Sequence, residues 1–183
     1  MQGDTLRDPK ILQGGNIAKF DCVIANPPFS LENWGATEWS SDKYKRNIYG
    51  TPSDSCGDYA WIQHMICSMS SGKGRMAVVM PQGILFRGNQ EAEIRKQLVE
   101  SDLIEAVVTL GDKLFYGTGL SPCFLIIRRM KQAHHSGRIL MIDGSKILTQ
   151  KRAQNILEEN DIDRLYSLYQ NYSDEEDYSR IVT

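Results

Sequence analysis

The sequence predicts an α/β fold: the second half of a doubly wound, mostly parallel sheet with an antiparallel hairpin at its end, followed by a helical C-terminal tail. Three observations support this prediction. Short apolar runs of strand length alternate with stretches of helical pattern. The connection over residues 111–121 is too short for an ordinary crossover between strands and suits a hairpin. The chain has 183 residues, of which 41% are hydrophobic, enough for one domain or one domain with a tail.

The first strand-like run covers residues 20–25 and stops at Asn26-Pro27-Pro28-Phe29. Its length and β-branched content predict a strand that is buried on both faces of the sheet. Asn26 precedes a proline, and neither proline has an N–H group, so the strand must end there in a stiff turn. Because ligands bind at the carboxyl ends of strands in open α/β sheets, this turn is the first candidate site.

The other elements follow from apolar spacing and from residues that end helices. Apolar residues recur every three or four positions from Trp61 to Met69, and Gly72 then ends the helix. Asn89 is expected to cap the next helix, and Arg87 is expected to be a solvated charge beside it. The predicted elements are a helix over 58–71, a strand over 75–80, a helix over 89–101, strands over 103–110, 122–128 and 138–142, and a polar helical tail over 146–172.

Residues 30–57 show no clear periodicity, and two interpretations stay open. The stretch mixes Trp34, Trp39 and two tyrosines with Lys43, Lys45 and Arg46. Aromatic residues among basic ones suit a flap that contacts nucleic acid. The alternative is a solvated loop that its tryptophans pin to the body of the domain.

Composition excludes several classes of function. The net charge is −2, so tight DNA binding by this chain alone is not expected, because phosphate contacts need a basic face. No apolar run approaches membrane-spanning length, and the N-terminus does not have the pattern of a secretory signal. The four cysteines are scattered along the sequence. Cys22 and Cys123 lie in strand-like runs, and we expect both to be buried. We therefore expect no disulfide, no metal site and a cytoplasmic location.

The chemistry of the turn points to a flat base with an exocyclic amino group. Asn26 offers a side-chain carbonyl, and the carbonyls of the two prolines have no neighbouring N–H partners in the turn. Two acceptors that converge on one point match the two hydrogens of an amino group. Phe29 supplies a ring on which a base can stack, an interaction worth about 1–3 kcal/mol.

With its flanks, this turn resembles the catalytic motif of N6-adenine DNA methyltransferases, and in particular the modification (M) subunit of type I restriction-modification systems. The motifs that carry the resemblance are, in order, Gly3-Asp4-Thr5-Leu6, Asn26-Pro27-Pro28-Phe29, Asp58-Tyr59-Ala60-Trp61 with His64, Pro81-Gln82-Gly83-Ile84-Leu85-Phe86-Arg87-Gly88, Glu93-Ile94-Arg95, Leu114-Phe115-Tyr116-Gly117-Thr118-Gly119 and Ile142-Asp143-Gly144-Ser145. The set covers nearly the whole chain, and its order is more specific than any one motif.

The resemblance implies a Rossmann-like methyltransferase fold and transfer of a methyl group from S-adenosylmethionine to N6 of an adenine rotated out of the duplex. Asn26, Pro27, Pro28 and Phe29 would form the catalytic turn, in which the Asn26 side chain and the Pro27 carbonyl bind the amino group. Phe29 would stack on one face of the base and Phe115 on the other, with Tyr116 as the alternative. Asp4 would contact the cofactor, and no metal is implied. The partners would be DNA, a specificity (S) subunit and a restriction (R) subunit.

The main cofactor motifs of the family are missing from the sequence. No G-x-G loop follows a strand and opens a helix. We therefore expect residues 1–145 to be the carboxy-terminal part of a catalytic domain that lacks its cofactor-binding half, and 146–183 to be a helical and acidic tail. The chain alone would be inactive. The alternatives are a non-catalytic scaffold or assembly module, or an N-methyltransferase that acts on protein glutamine or RNA.

Overall fold

A computed structural model describes residues 2–115, 119–152 and 154–183. A six-stranded sheet forms the centre, and a two-stranded hairpin lies near the N-terminus. In chain order the strands and helices are β1 (Leu12–Gln13), β2 (Asn16–Ile17), β3 (Cys22–Ala25), α1 (Ala36–Ser40), α2 (Asp58–Ser68), β4 (Arg75–Pro81), α3 (Asn89–Glu100), β5 (Ile104–Leu110), β6 (Pro122–Arg128), β7 (Ile139–Gly144), α4 (Glu159–Asn171) and β8 (Ser179–Val182). Short 3₁₀ helices cover Gln82–Leu85 and Ala133–His135.

The order of strands in the central sheet is β3-β4-β6-β5-β7-β8. Strands β3, β4, β5 and β7 run in one direction, while β6 and β8 run in the other. The predicted α/β class is confirmed, and so is the hairpin, because β5 and β6 pair antiparallel. Its predicted position at the end of the sheet is wrong, because β6 lies between β4 and β5. Because β3, β4 and β5 run in the same direction, their carboxyl ends lie at one edge of the sheet.

Helices cover both faces of this sheet, although not evenly. On one face, α2 and α3 contribute Tyr59, Ile62, Ile66 and Leu98 to a core that also contains alternate residues of β4, β5 and β6. On the other face, α4 packs Leu168 against β5 and β7. The second helix layer therefore covers the β5 and β7 side and leaves the β3 side open.

The prediction that the first strand is buried on both faces is wrong. Strand β3 is an edge strand that pairs only with β4 among the described residues. Val23 and Ala25 pack against the core below α2, whereas Ile24 on the opposite face is 78% exposed. Cys22 is exposed for the same reason, while Cys123, in the central strand β6, is buried as predicted. Hydrophobicity alone indicates a strand that could be covered on both faces, and this chain covers only one.

The C-terminal part contains one more strand than the sequence predicts. Helix α4 begins only at Glu159, after a capping box formed by Glu158 and Asp161. Strand β8 then pairs with β7 and extends the same sheet. The division of the chain at residue 145 stays a prediction.

Candidate active site

The Asn26-Pro27-Pro28-Phe29 turn leaves the carboxyl end of β3, as the sequence predicts. The last pair in the ladder joins Ala25 to Val78 of β4, and no described strand continues past it. Asn26 and Pro28 are exposed, Pro27 is buried, and Phe29 is partly buried. The side chain of Asn26 makes no hydrogen bond to any described residue, so its carbonyl and amino groups are free to bind a ligand.

The structure brings the two predicted stacking residues together. The rings of Phe29 and Phe115 have centroids 6.2 Å apart and planes inclined at 71°, an edge-to-face contact. Leu114 packs into the core beside α4, which anchors the chain just before Phe115. A base stacked on both rings would require the ring of Phe115 to turn and move outward, because edge-to-face contact leaves no slot. Tyr116, the alternative partner, lies outside the described residues.

Gln82 ties the end of β4 to the hairpin that carries Phe115. Its side-chain amide donates to the carbonyls of Leu110 at 3.1 Å and Pro122 at 3.4 Å, the residues at the two ends of the hairpin loop. Its backbone N–H donates to the Ser121 carbonyl at 3.1 Å. These bonds fix the root of the loop relative to β4, and hence relative to the neighbouring turn after β3.

Asp58, at the start of α2, holds the residue that follows the turn. Its carboxylate accepts the backbone N–H of Ser30 at 2.8 Å and is itself fully buried. The Cys56 thiol also donates to it at 3.3 Å, and burial raises the pKa of that thiol to about 12. The prediction that residue 58 opens a helix is confirmed, but its contact with Ser30 had no signal in the sequence.

Arg87 joins Asp58 to Glu91 in a chain of ion pairs. The guanidinium donates to the Asp58 carboxylate and, at 2.6 Å, to Glu91. Burial by itself would lower the pKa of Arg87, but the hydrogen bonds to Glu91 and Asp58 outweigh it and raise the pKa. The prediction that Arg87 is a solvated charge is therefore wrong. Its spacing of four from Glu91 was the available signal.

The predicted cap of α3 is also wrong. Gly88 is the N-cap, without a side-chain cap bond, and Asn89 is the first helical residue, with a left-handed φ of 54°. Asn89 tolerates that conformation better than most residues do.

Residues 30–57 are packed onto the body, as the second of the two interpretations expects. Trp34 and Trp39 are each 2% exposed and pack with Leu6 and Ala60. The guanidinium of Arg46 is buried, where it pairs with Asp42 at 2.8 Å and donates to backbone carbonyls of the N-terminal segment. Two basic residues of this stretch also lie over aromatic rings of the same stretch, Arg46 over Trp39 and Lys43 over Tyr44. Whether its outer surface also meets DNA stays a prediction.

The carboxylate of Asp4 forms hydrogen bonds within its own turn. One carboxylate oxygen accepts the N–H groups of Leu6 and Arg7, both at 3.0 Å, and so closes a turn at the N-terminus. The side chain remains about half exposed. Its contact with a cofactor stays a prediction.

His64 has a structural environment. Its ring nitrogen lies 3.1 Å from the guanidinium of Arg46, and burial together with that charge lowers its pKa to about 4.

Among residues 2–115, 119–152 and 154–183, no three potential metal ligands cluster together. No helix in the same part of the chain is long and apolar enough to cross a membrane.

Comparison with known proteins gives consistent matches. The N-6 DNA Methylase family matches residues 1–183. The type I restriction enzyme MjaVII methylase subunit of Methanocaldococcus jannaschii is 35% identical over 189 residues, and the match covers 98% of this chain and 32% of that protein. The MjaVIII methylase subunit of the same organism is 32% identical over 189 residues, with the same two coverages.

The structural likeness extends over the same region. A type I restriction-modification system methyltransferase subunit from Streptococcus thermophilus superposes with a TM-score of 0.87 at 28% identity, over 98% of this chain and 37% of that one. This match confirms the predicted methyltransferase-type sheet. The chain spans about a third of the length of the curated relatives it matches.

Proposed function

The chain belongs to the N-6 DNA Methylase family, and from this we propose that it supplies the base-binding half of an adenine-specific DNA methyltransferase of a type I restriction-modification system. The reaction would move a methyl group from S-adenosylmethionine to N6 of adenine. The observation that carries the proposal is the open turn after β3, where the free amide of Asn26 stands three residues before Phe29, whose ring contacts that of Phe115.

In the proposed reaction the chain binds and orients the base. The carbonyl oxygens of Asn26 and Pro27 would accept the two hydrogens of the adenine amino group, which draws its lone pair out of conjugation with the ring. Phe29 would hold the ring plane from one side, and Phe115 would close from the other after turning away from its present contact. Positioning and polarisation of this kind can supply a large part of a rate enhancement.

S-adenosylmethionine itself does not fit the residues present. No glycine-rich loop follows a strand and opens a helix, and the Asp4 carboxylate already closes a local turn. The free edge of β3 and the exposed Ile24 are where further strands and a covering helix could pack. We therefore propose that residues outside this chain bind the cofactor, and that the chain alone is inactive. Isothermal titration calorimetry of the chain with S-adenosylmethionine should give no binding, and micromolar affinity would overturn this part of the proposal.

The proposed partners are DNA, a specificity subunit and a restriction subunit. The relatives that match are named as methylase subunits of type I restriction enzymes. The net charge of −2 is unsuited to holding DNA by this chain alone, so other surfaces of the assembly would supply the basic contacts. A DNA substrate would also place the assembly in the cytoplasm.

Replacement of Asn26 in the complete methyltransferase tests the proposal. Asn26→Ala should reduce the formation of N6-methyladenine to background, measured by mass spectrometry of nucleosides from methylated DNA. Asn171→Ala, which changes an exposed asparagine on α4, is the matched control and should keep full activity. Full activity of Asn26→Ala would remove this residue from the mechanism. A wild-type enzyme that methylates protein or RNA but not DNA would favour the alternative substrates.

A further inference from the structure

The catalytic turn is held at its two ends rather than along its length. On the side of β3, the ladder pairs Ala25 with Val78. On the other side, the backbone N–H of Ser30 donates to Asp58 at 2.8 Å. Among the described residues, no other side chain forms a hydrogen bond with residues 26–30. The buried carboxylate of Asp58 therefore supplies the side-chain hydrogen bond that holds the far end of the turn.

Ser30 needs such an anchor because its backbone is strained. Its φ of 49° lies in the left-handed region, which a residue other than glycine adopts at a cost. The bond to Asp58 offsets that cost and fixes the direction in which the chain leaves Phe29. The neighbouring bond from Gly57 N–H to the Leu31 carbonyl, at 2.9 Å, holds the next residue against the same helix end.

Asp58 is not used as an ordinary cap of its own helix. The N-cap of α2 is Gly57, and no side-chain cap bond is present there. The hydrogen bonds that Asp58 accepts come from Ser30, from the Cys56 thiol and from Arg87. Arg87 in turn is held by Glu91 at 2.6 Å, so the carboxylate of Asp58 has one fixed orientation.

We propose that Asp58 is a positioning residue for base methylation. Its carboxylate, oriented by Arg87 and Glu91, binds the backbone N–H of Ser30. This bond fixes the positions of the Phe29 ring and the Asn26 amide. This inference rests on the proposed function of the turn. Asp58 touches no reacting atom, so its effect is on geometry alone. A base-binding group displaced by about 1 Å can cost about a hundredfold in rate.

Two truncations within the same chain of ion pairs separate the effect of the Ser30–Asp58 hydrogen bond from an effect on general stability. Asp58→Ala removes the carboxylate that holds Ser30, while Glu91→Ala removes a carboxylate, 7% exposed, that pairs with Arg87 rather than with Ser30. Asp58→Asn keeps an oxygen that can accept the Ser30 N–H. In the complete methyltransferase with saturating DNA and S-adenosylmethionine, we expect kcat to fall about a hundredfold in Asp58→Ala. It should fall less than about tenfold in Asp58→Asn and in Glu91→Ala, because the Ser30 N–H keeps an acceptor in both, and KM for the cofactor should be unchanged in all three.

A second measurement tests the hydrogen bond between Ser30 and Asp58 without relying on enzyme activity. Amide hydrogen exchange of Ser30, followed by NMR on the 183-residue chain, should accelerate about tenfold or more in Asp58→Ala and stay slow in Glu91→Ala and Asp58→Asn. If Asp58→Ala does not fold, Asp58→Asn provides the test. A loss of kcat in Asp58→Asn beyond that expected above, with the Ser30 amide still protected from exchange, would overturn the proposal.

Equal losses of kcat in Asp58→Ala and Glu91→Ala, or unchanged exchange at Ser30 in Asp58→Ala, would also overturn it. A wild-type enzyme that forms no N6-methyladenine would instead overturn the proposed function. The exchange measurement would still show whether Asp58 holds the turn.

Discussion

Arg46 offers a sharp test of how residues 30–57 are attached to the rest of the fold. Its side chain is 1% exposed and its partner Asp42 is 7% exposed, so the ion pair is shielded from water. The guanidinium also donates to the carbonyls of Thr5 at 2.9 Å and Leu6 at 2.6 Å. It stacks on Trp39, with its central carbon 4.4 Å from the ring centroid. Two segments of the chain, residues 5–6 and 39–46, therefore meet at one buried cation.

Arg46→Met keeps most of the side-chain volume and removes the charge and all of its donors. A buried carboxylate at Asp42 and the carbonyls of Thr5 and Leu6 would then lack these partners. Removal of one member of a buried ion pair typically costs about 3–5 kcal/mol, because the remaining charge is left unpaired. Total stabilities of domains are about 5–15 kcal/mol, so this is a large fraction of the free energy of unfolding.

Urea denaturation of the chain, followed by tryptophan fluorescence, measures this change directly. We expect Arg46→Met to lower the free energy of unfolding by about 3–5 kcal/mol. Lys45→Met, at the exposed neighbouring position, is the control and should change it by less than about 0.5 kcal/mol. The double variant with Asp42→Asn should be more stable than Arg46→Met alone, because it leaves no unpaired buried carboxylate. A cost below about 1 kcal/mol for Arg46→Met, or a double variant as unstable as the sum of the two single changes, would refute the reasoning.

Three further predictions follow from burial and contact. Because the pKa of His64 falls from 6.5 to about 4 on folding, the unfolded chain binds the extra proton, and the free energy of unfolding should drop by up to about 3 kcal/mol as the pH falls from 6.5 to 4. His64→Gln should flatten that part of the pH profile in urea titrations, and an unchanged slope would contradict the assignment. A thiol reagent should label exposed Cys22 well before Cys123, whose pKa burial raises to about 12, as peptide mass spectrometry of a time course can check; comparable rates would contradict the edge position of β3. Phe115→Ala in the complete methyltransferase should weaken binding of the extruded base by about 1–3 kcal/mol, measured with a fluorescent adenine analogue, whereas an unaffected signal would exclude it as the second stacking ring.

The local sequence determined most of the elements because their signals are local. Prolines at 27 and 28 end β3, and apolar residues at helical spacing define α2. The strand over 122–128 was predicted with its observed bounds, Pro122–Arg128, and the short connection before it correctly predicted an antiparallel pair. The position of the turn was predicted as well, while its role in binding a base stays a prediction.

The sequence could not decide which strand lies at the edge of the sheet. An apolar run such as residues 20–25 has the same pattern whether one face or two faces are covered, and the exposed Ile24 shows that one is. Strand β8 was missed because a short mixed run near a chain end carries little periodic signal, and only its pairing with β7 makes it a strand.

The support of the candidate site was likewise decided only by tertiary structure. Asp58 and Ser30 are 28 positions apart, and Asp58 and Arg87 are 29 apart. No local pattern links them, because their contact depends on the packing of α2 beside the turn and of α3 behind it. The sequence by itself thus determined where the turn leaves β3 and the type of domain that carries it. The buried charges that hold this turn in place became visible only once the chain was folded, since buried charges need partners and only the fold chooses them.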